Sequence, residues 1–193
     1  MDADAVEIRV LGCLIEKQRT TPDQYPLSLN ALRLACNQAT SRDPVVDYDE
    51  PAIRTALDSL SRREWVRLAS GAGSRAVKYR HLLDSALSLD PAELAILAVL
   101  MLRGPQTVAE LGQRTERMHR FAAGEVDETL ERLGGRELVE RRSRRPGERG
   151  ERFAQLLGSV DTAERPTAGP SLEARVAQLE GEVARLREEL ESR

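Results

Sequence analysis

Aromatic residues make up only 3% of this 193-residue chain, two Phe, three Tyr and one Trp, so its cores must be built from aliphatic side chains. Cysteine is equally sparse. Cys13 and Cys36 are too few for a disulfide framework and, without two more ligands, for a structural zinc site, and His81 and His119 are the only histidines. No apolar run approaches the ~20 residues of a membrane span. Met1 leads into Asp2 and Asp4, where a secretory leader would carry positive charge. These absences predict a cytoplasmic protein with no membrane association, no metal and no cofactor.

Lysine is nearly absent too: of 29 basic residues only Lys17 and Lys78 are lysine, so arginine is the default cation and no arginine is special for being one. The formal net charge is −3. It arises entirely beyond residue 160, because residues 1–88 and 89–160 each carry twelve acids and twelve bases. A neutral body of this kind still has room for a local basic surface.

What is present is aliphatic periodicity. Val6, Val10, Cys13 and Leu14 line one face of a helix that ends before Thr20-Thr21-Pro22. Ser28 is placed to cap a second helix, Leu29 to about Gln38, followed by a polar loop, Thr40-Ser41-Arg42-Asp43-Pro44. Asp49-Glu50-Pro51 opens a third helix with Ile53, Ala56, Leu57 and Leu60 as its buried stripe. Trp65 to Leu68 and Ala76 to Arg80 then predict a hairpin around residues 71–74.

The same order recurs. Asp90 to Glu93 and Thr107 to Glu110 have capping-box spacing and open two helices. Val126, Leu130 and Leu133 stripe a third, and Leu138 to Arg142 with Arg152-Phe153 predict a second hairpin around Pro146-Gly147. Ile53, Leu57, Leu60, Glu64 and Val66 fall on Val126, Leu130, Leu133, Glu137 and Val139 at a constant offset of 73, which an internal duplication explains better than chance. Helix, helix, helix, hairpin is the order of a winged helix, a helix-turn-helix variant. The expected fold is therefore α+β, mainly α: two tandem winged-helix domains over 1–88 and 89–157, against the alternative of two unrelated small α+β domains.

Residues 158–170 are rich in turn formers and predict a linker. Beyond it Leu172, Val176, Leu179, Val183, Leu186 and Leu190 form a heptad seam over 171–193, with Val, Val, Leu at a and Leu at d, favouring two parallel strands. Arg175 with Glu180 and Glu182 with Arg187 are opposite in sign across such a dimer. The expectation is a homodimer through a C-terminal coiled coil, the alternative an amphipathic helix folded back on its own domain.

The sequence has no phosphate-binding glycine loop, paired helical histidines or nucleophile elbow, and no enzymatic activity is expected. Cys13 and Cys36 lie on inward helical stripes and are expected in the core. His119 is expected to be a surface or loop-stabilising residue and not a metal ligand. Double-stranded DNA is the partner the fold suggests. The third helix of the first domain offers Arg54, Thr55, Arg62 and Arg63, and its wing Arg75, Lys78 and Arg80 with His81, although Asp49 and Glu50 stand at the approaching end. In the second domain the equivalent helix shows Glu125, Asp127, Glu128 and Glu131 against Arg132 alone, a face phosphates would repel. Its wing instead concentrates Arg141, Arg142, Arg144, Arg145, Arg149 and Arg152, with Glu148 and Glu151 among them. A protein-interaction scaffold, with soluble wings and acidic helices that bind other proteins, is the competing expectation.

Several strings carry a resemblance. Glu16-Lys17, Thr21 to Leu32, Cys36-Asn37-Gln38 with Ser41 to Val45, Lys78-Tyr79-Arg80-His81, Leu102 to Thr107, Glu116 to His119 with Phe121, and Arg145 to Arg149 with Arg152-Phe153 are similar to the YceH-like family of bacterial proteins, almost end to end. Ala39 departs from that pattern, where a Lys would follow Asn-Gln. The resemblance implies tandem winged helices and no established biochemical activity.

Overall fold

The computed structural model describes residues 2–69, 77–142 and 150–159. Arg75, Arg144, Arg145, Arg149, both hairpin turns and the heptad seam of Leu172, Val176, Leu179, Val183, Leu186 and Leu190 lie outside the described residues. The architecture is α+β and mainly helical, with small antiparallel sheets.

Helix α1 (Ala5–Thr20) begins with a capping box: the Asp4 carboxylate accepts from the Glu7 amide, and the Glu7 carboxylate accepts from the Asp4 amide. A 3₁₀ turn (Pro22–Gln24) leads to β1 (Leu27–Ser28), and Ser28 Oγ caps α2 (Leu29–Cys36) by accepting from the Ala31 amide. The second helix stops two residues short of Gln38. Asn37 turns out of it, accepting from the Tyr48 amide and donating to the Tyr48 carbonyl, and so ties the two ends of the following loop. Asp49 caps α3 (Glu50–Arg62), whose buried residues are Ile53, Ala56, Leu57 and Leu60, the expected stripe.

Strands β2 (Val66–Leu68) and β3 (Lys78–His81) pair antiparallel, and β1 adds to the far side of β3, in the order β1-β3-β2. Two residues are too short for a period-2 pattern, so β1 is invisible to periodicity, as is the one-turn α4 (Leu83–Ala86).

The second half runs α5 (Pro91–Arg103), α6 (Val108–Thr115), α7 (Glu125–Gly135), β4 (Val139–Arg142) and β5 (Arg152–Gln155). Capping boxes at Asp90 with Glu93 and Thr107 with Glu110 start α5 and α6 as their spacing predicts. In α5 every residue from Ala92 to Leu102 is buried, the mark of a helix enclosed on all sides. Its main neighbour is α1, which lies so close at Gly12 that a Cβ there would stand 2.9 Å from Leu102 Cγ. That packing merges the two halves into one hydrophobic core within the compact unit Met1–Asp161. The Ala3 and Ser159 backbones are joined as well, the Ser159 amide donating to the Ala3 carbonyl at 2.9 Å.

Local geometry repeats at the offsets seen in the sequence. Glu64 and Glu137 both hold positive φ, 59° and 55°. The Trp65 amide donates to the Leu60 carbonyl and the Glu64 amide to that of Ser61; Leu138 to Leu133 and Glu137 to Gly134 reproduce both bonds 73 residues on. The bridge between Gln106 and Phe153 resembles the pairing of Leu27 with Tyr79 in β1–β3, although not at the offset of 73.

Candidate nucleic-acid interface

Arg54, Thr55 and Arg62 lie on the exposed side of α3, opposite its buried stripe. Arg54 is held by Glu50 one turn earlier, at 2.7 Å, and Thr55 Oγ1 donates to the Pro51 carbonyl. The acids at the start of the helix are therefore occupied, Asp49 as cap and Glu50 as ion-pair partner. Arg63 turns back to the body: it donates to the Asp2 carbonyl, lies 3.9 Å from the buried Glu7 carboxylate and covers the Trp65 ring.

The hairpin brings three bases together, Arg67 exposed and Lys78 and Arg80 half-buried. Arg67 stands opposite Arg80 in the β2–β3 register, and Lys78, two residues from Arg80, shares that sheet face. Arg67 is absent from the sequence-derived candidates because a strand's partner is set by register, which composition does not reveal. No acid pairs with Arg67, Lys78 or Arg80 among the described residues. On the other side of β3, His81 is fully buried, its Nε2 2.6 Å from Gln18 Oε1, and burial pushes its pKa down to about 4 despite the nearby Asp84.

The second half holds its bases differently. Arg141 pairs with Glu151 across the hairpin and Arg142 with Glu140 on its own strand at 2.8 Å. Arg152 is drawn inward, donating to Glu110 Oε2 and to the Pro105 carbonyl, both at 2.9 Å. The α7 face is as acidic as its sequence, and Arg132, its lone base, is taken by Asp90 at 3.1 Å. His119 stacks edge-on against Phe121, ring centroids 4.6 Å apart, in the loop before α7.

The structure also contains a polar cluster that periodicity could not locate. Arg42, expected in a polar loop, is buried: it grips Glu16 through both terminal nitrogens, at 3.1 and 2.7 Å, and donates to Gln38 and to the Ala35 and Ser41 carbonyls. Arg9 is buried beside it, donating to the Pro44 carbonyl at 2.7 Å and, more weakly, to that of Cys36. Burial raises the Glu16 pKa, but the Arg42 hydrogen bonds and charge outweigh it and hold the carboxyl below its usual range. Cys13 and Cys36 are both buried in the same core, and interaction with Cys13 together with burial pushes the Cys36 thiol well up. These residues fix the path of the loop that delivers α3, so the strings Cys36-Asn37-Gln38 and Ser41-Arg42-Asp43-Pro44 have a structural role here.

Comparison with known proteins places these observations in a family. Residues 3–148 match the family described as "Protein of unknown function, DUF480". Similar relatives include the UPF0502 protein YceH of Escherichia fergusonii, 46% identical over 202 residues that cover 97% of this chain and 94% of that protein. A UPF0502 protein of Serratia proteamaculans is 45% identical, covering 99% and 95%. Another from Azotobacter vinelandii is 49% identical, covering 90% and 77%. The chain belongs to this family, as its sequence strings implied.

Proposed function

We propose that this protein is a DNA-binding, regulator-like protein built from tandem winged helices and dimerised by its C-terminal heptads. The winged-helix reading is supported by the recurrence of helix, helix, helix and hairpin, with the same helix-to-strand turn at Glu64 and Glu137. The observation that carries nucleic-acid binding is the basic sheet face of Arg67, Lys78 and Arg80, to which α3 adds the exposed side chains Arg54, Thr55 and Arg62. Like charges directly opposite one another destabilise a strand pair, and phosphates would relieve that repulsion. The first half then binds the duplex principally. In the second half Arg141 and Arg142 are exposed but ion-paired, and add phosphate binding through the hairpin whose remaining bases are Arg144, Arg145 and Arg149.

Titration of a fluorescent duplex at several salt concentrations tests this. Binding should weaken steeply with salt, and R67A/K78A/R80A should flatten the slope by about 0.9 for each phosphate that is no longer neutralised. An unchanged slope refutes the assignment. For the dimer, sedimentation of the full chain against a chain ending at residue 165 decides: equal monomer masses refute the coiled coil.

One observation favours a protein-binding scaffold as the second reading. Leu34 on α2 and Leu68 on β2 are more than half exposed, and α7 presents an acidic face. A stoichiometric protein partner recovered without nucleic acid would support it.

A further inference from the structure

The ends of α1, α5 and α6 converge on a cavity of about 230 Å³. Lys17 from the last turn of α1, Arg103 from the last residue of α5, Arg114 from the last turn of α6 and Arg117 just beyond it all line this cavity. Glu16 is the one acid among its lining residues, and its carboxylate is already gripped by Arg42. Cations belong in the last turn of a helix, where they complement the macrodipole, and that accounts for one base at each helix end. It does not account for four bases gathered around one hollow.

Two of the four are uncompensated. The guanidinium groups of Arg103 and Arg117 make no hydrogen bond or ion pair among the described residues. Lys17 reaches Glu16 only at 3.4 Å, and Arg114 reaches Glu110 only at 3.5 Å. Four bases, Lys17, Arg103, Arg114 and Arg117, therefore line the hollow against the single acid Glu16, which leaves its lining with an excess of positive charge. Burial foremost, and then the charges of Arg114 and Arg42, lower the Arg103 pKa below the ordinary arginine value, against the opposing pull of Glu16 and Asp43.

We infer that this cleft binds the doubly charged phosphate group of a small molecule. An anion of high charge is drawn to that excess, and arginine forks give phosphate planar, charge-assisted hydrogen bonds. The hydroxyl of Ser41, on the cleft's rim, offers a further donor. Ligand pockets for drug-sized molecules run from about 300 Å³, so this cleft suits inorganic phosphate or a short phosphomonoester and not a nucleotide. The site spans both halves of the chain, since α1 belongs to the first and α5 and α6 to the second. A bound phosphate would therefore bridge them. This inference stands independently of DNA binding.

Isothermal titration of the full chain with inorganic phosphate and, separately, glycerol 3-phosphate, at constant ionic strength set with chloride, tests it. Saturable binding of either ligand is expected, and the two arms distinguish free ion from ester. R103Q/R117Q should weaken binding at least tenfold without lowering the ligand-free unfolding midpoint, because neither guanidinium is bonded to the fold and burial and neighbouring bases oppose the Arg103 charge. R132Q, whose side chain bonds Asp90 instead, should bind as the parent does. Absence of saturable heat for both ligands overturns the proposal. So does full binding by R103Q/R117Q, equal competition by acetate, or displacement of phosphate by a short duplex, which would assign the cleft to the nucleic-acid backbone.

Discussion

Arg67 and Arg80 stand directly opposite each other across β2 and β3, two like charges in one strand register. Opposite-charge pairs at such positions stabilise a sheet by about 0.2–1 kcal/mol and like charges destabilise it. R67E should therefore raise the unfolding free energy by up to about 1 kcal/mol in urea titration. The same substitution should weaken duplex binding in the anisotropy assay. A variant that is more stable and binds DNA equally well would separate the sheet's charge from the proposed function.

Arg42 and Glu16 form a pair whose side chains are 0% and 16% exposed. Removing one partner of a buried pair leaves the other uncompensated, at a cost of about 3–5 kcal/mol. R42A should lose that much stability in urea unfolding. The double variant R42M/E16L should recover most of it, since an apolar pair of similar volume leaves no stranded charge.

His81 makes stability pH-dependent in a defined window. Its folded pKa of about 4 lies below the unfolded value of 6.5, so the unfolded chain binds the additional proton. Above pH 6.5 the group contributes no pH dependence. As pH falls from 6.5 towards 4, about 3 kcal/mol should be lost. Asp84 attracts that proton, while Arg80 and Arg19 repel it, and burial dominates all three. H81Q should flatten the stability profile between pH 6.5 and 4.5. Below that range the ion-paired Glu16 adds its own loss, because its carboxylate must protonate against Arg42.

Gly12 is where α1 meets α5. A Cβ there would lie 2.9 Å from Leu102 Cγ and 3.0 Å from Met101 Cβ, so helix propensity and packing oppose each other. Alanine would gain up to about 1 kcal/mol of propensity in an open helix. Here overpacking should prevail, with G12A neutral to destabilising and G12V costing about 1–3 kcal/mol by thermal unfolding.

Glu64 and Glu137 occupy the left-handed region after α3 and α7, both exposed. A non-glycine residue there costs about 1–2 kcal/mol, while glycine gives back part of that gain through its freer unfolded state. E64G and E137G should each stabilise the protein by about 0.5–1 kcal/mol, and by similar amounts. Unequal effects would mean that the two turns are not energetically equivalent.

Much of the local structure is legible in the sequence alone. Ser28, Asp49, Asp90 and Thr107 act at helix starts as their spacing predicts, because capping joins groups within four residues of each other. The stripe of Ile53, Ala56, Leu57 and Leu60 is legible for the same reason, since helical periodicity is local. Of the candidate interface, Arg54, Thr55 and Arg62 are on the exposed face expected for them. Arg63 and Arg152 are instead held by bonds to the body of the protein.

By itself, the sequence determined the order of helices and hairpins, the caps and stripes of each, and the family to which the chain belongs. Tertiary structure alone decided which charges remain available. Whether an arginine ends buried like Arg42, paired like Arg141 or unpaired like Arg103 depends on partners tens of residues away. The docking of α1 on α5 is of the same kind. It joins the halves into one core and brings Lys17 to the same cavity as Arg103 and Arg117, a meeting set by packing between distant segments and carried by no local pattern.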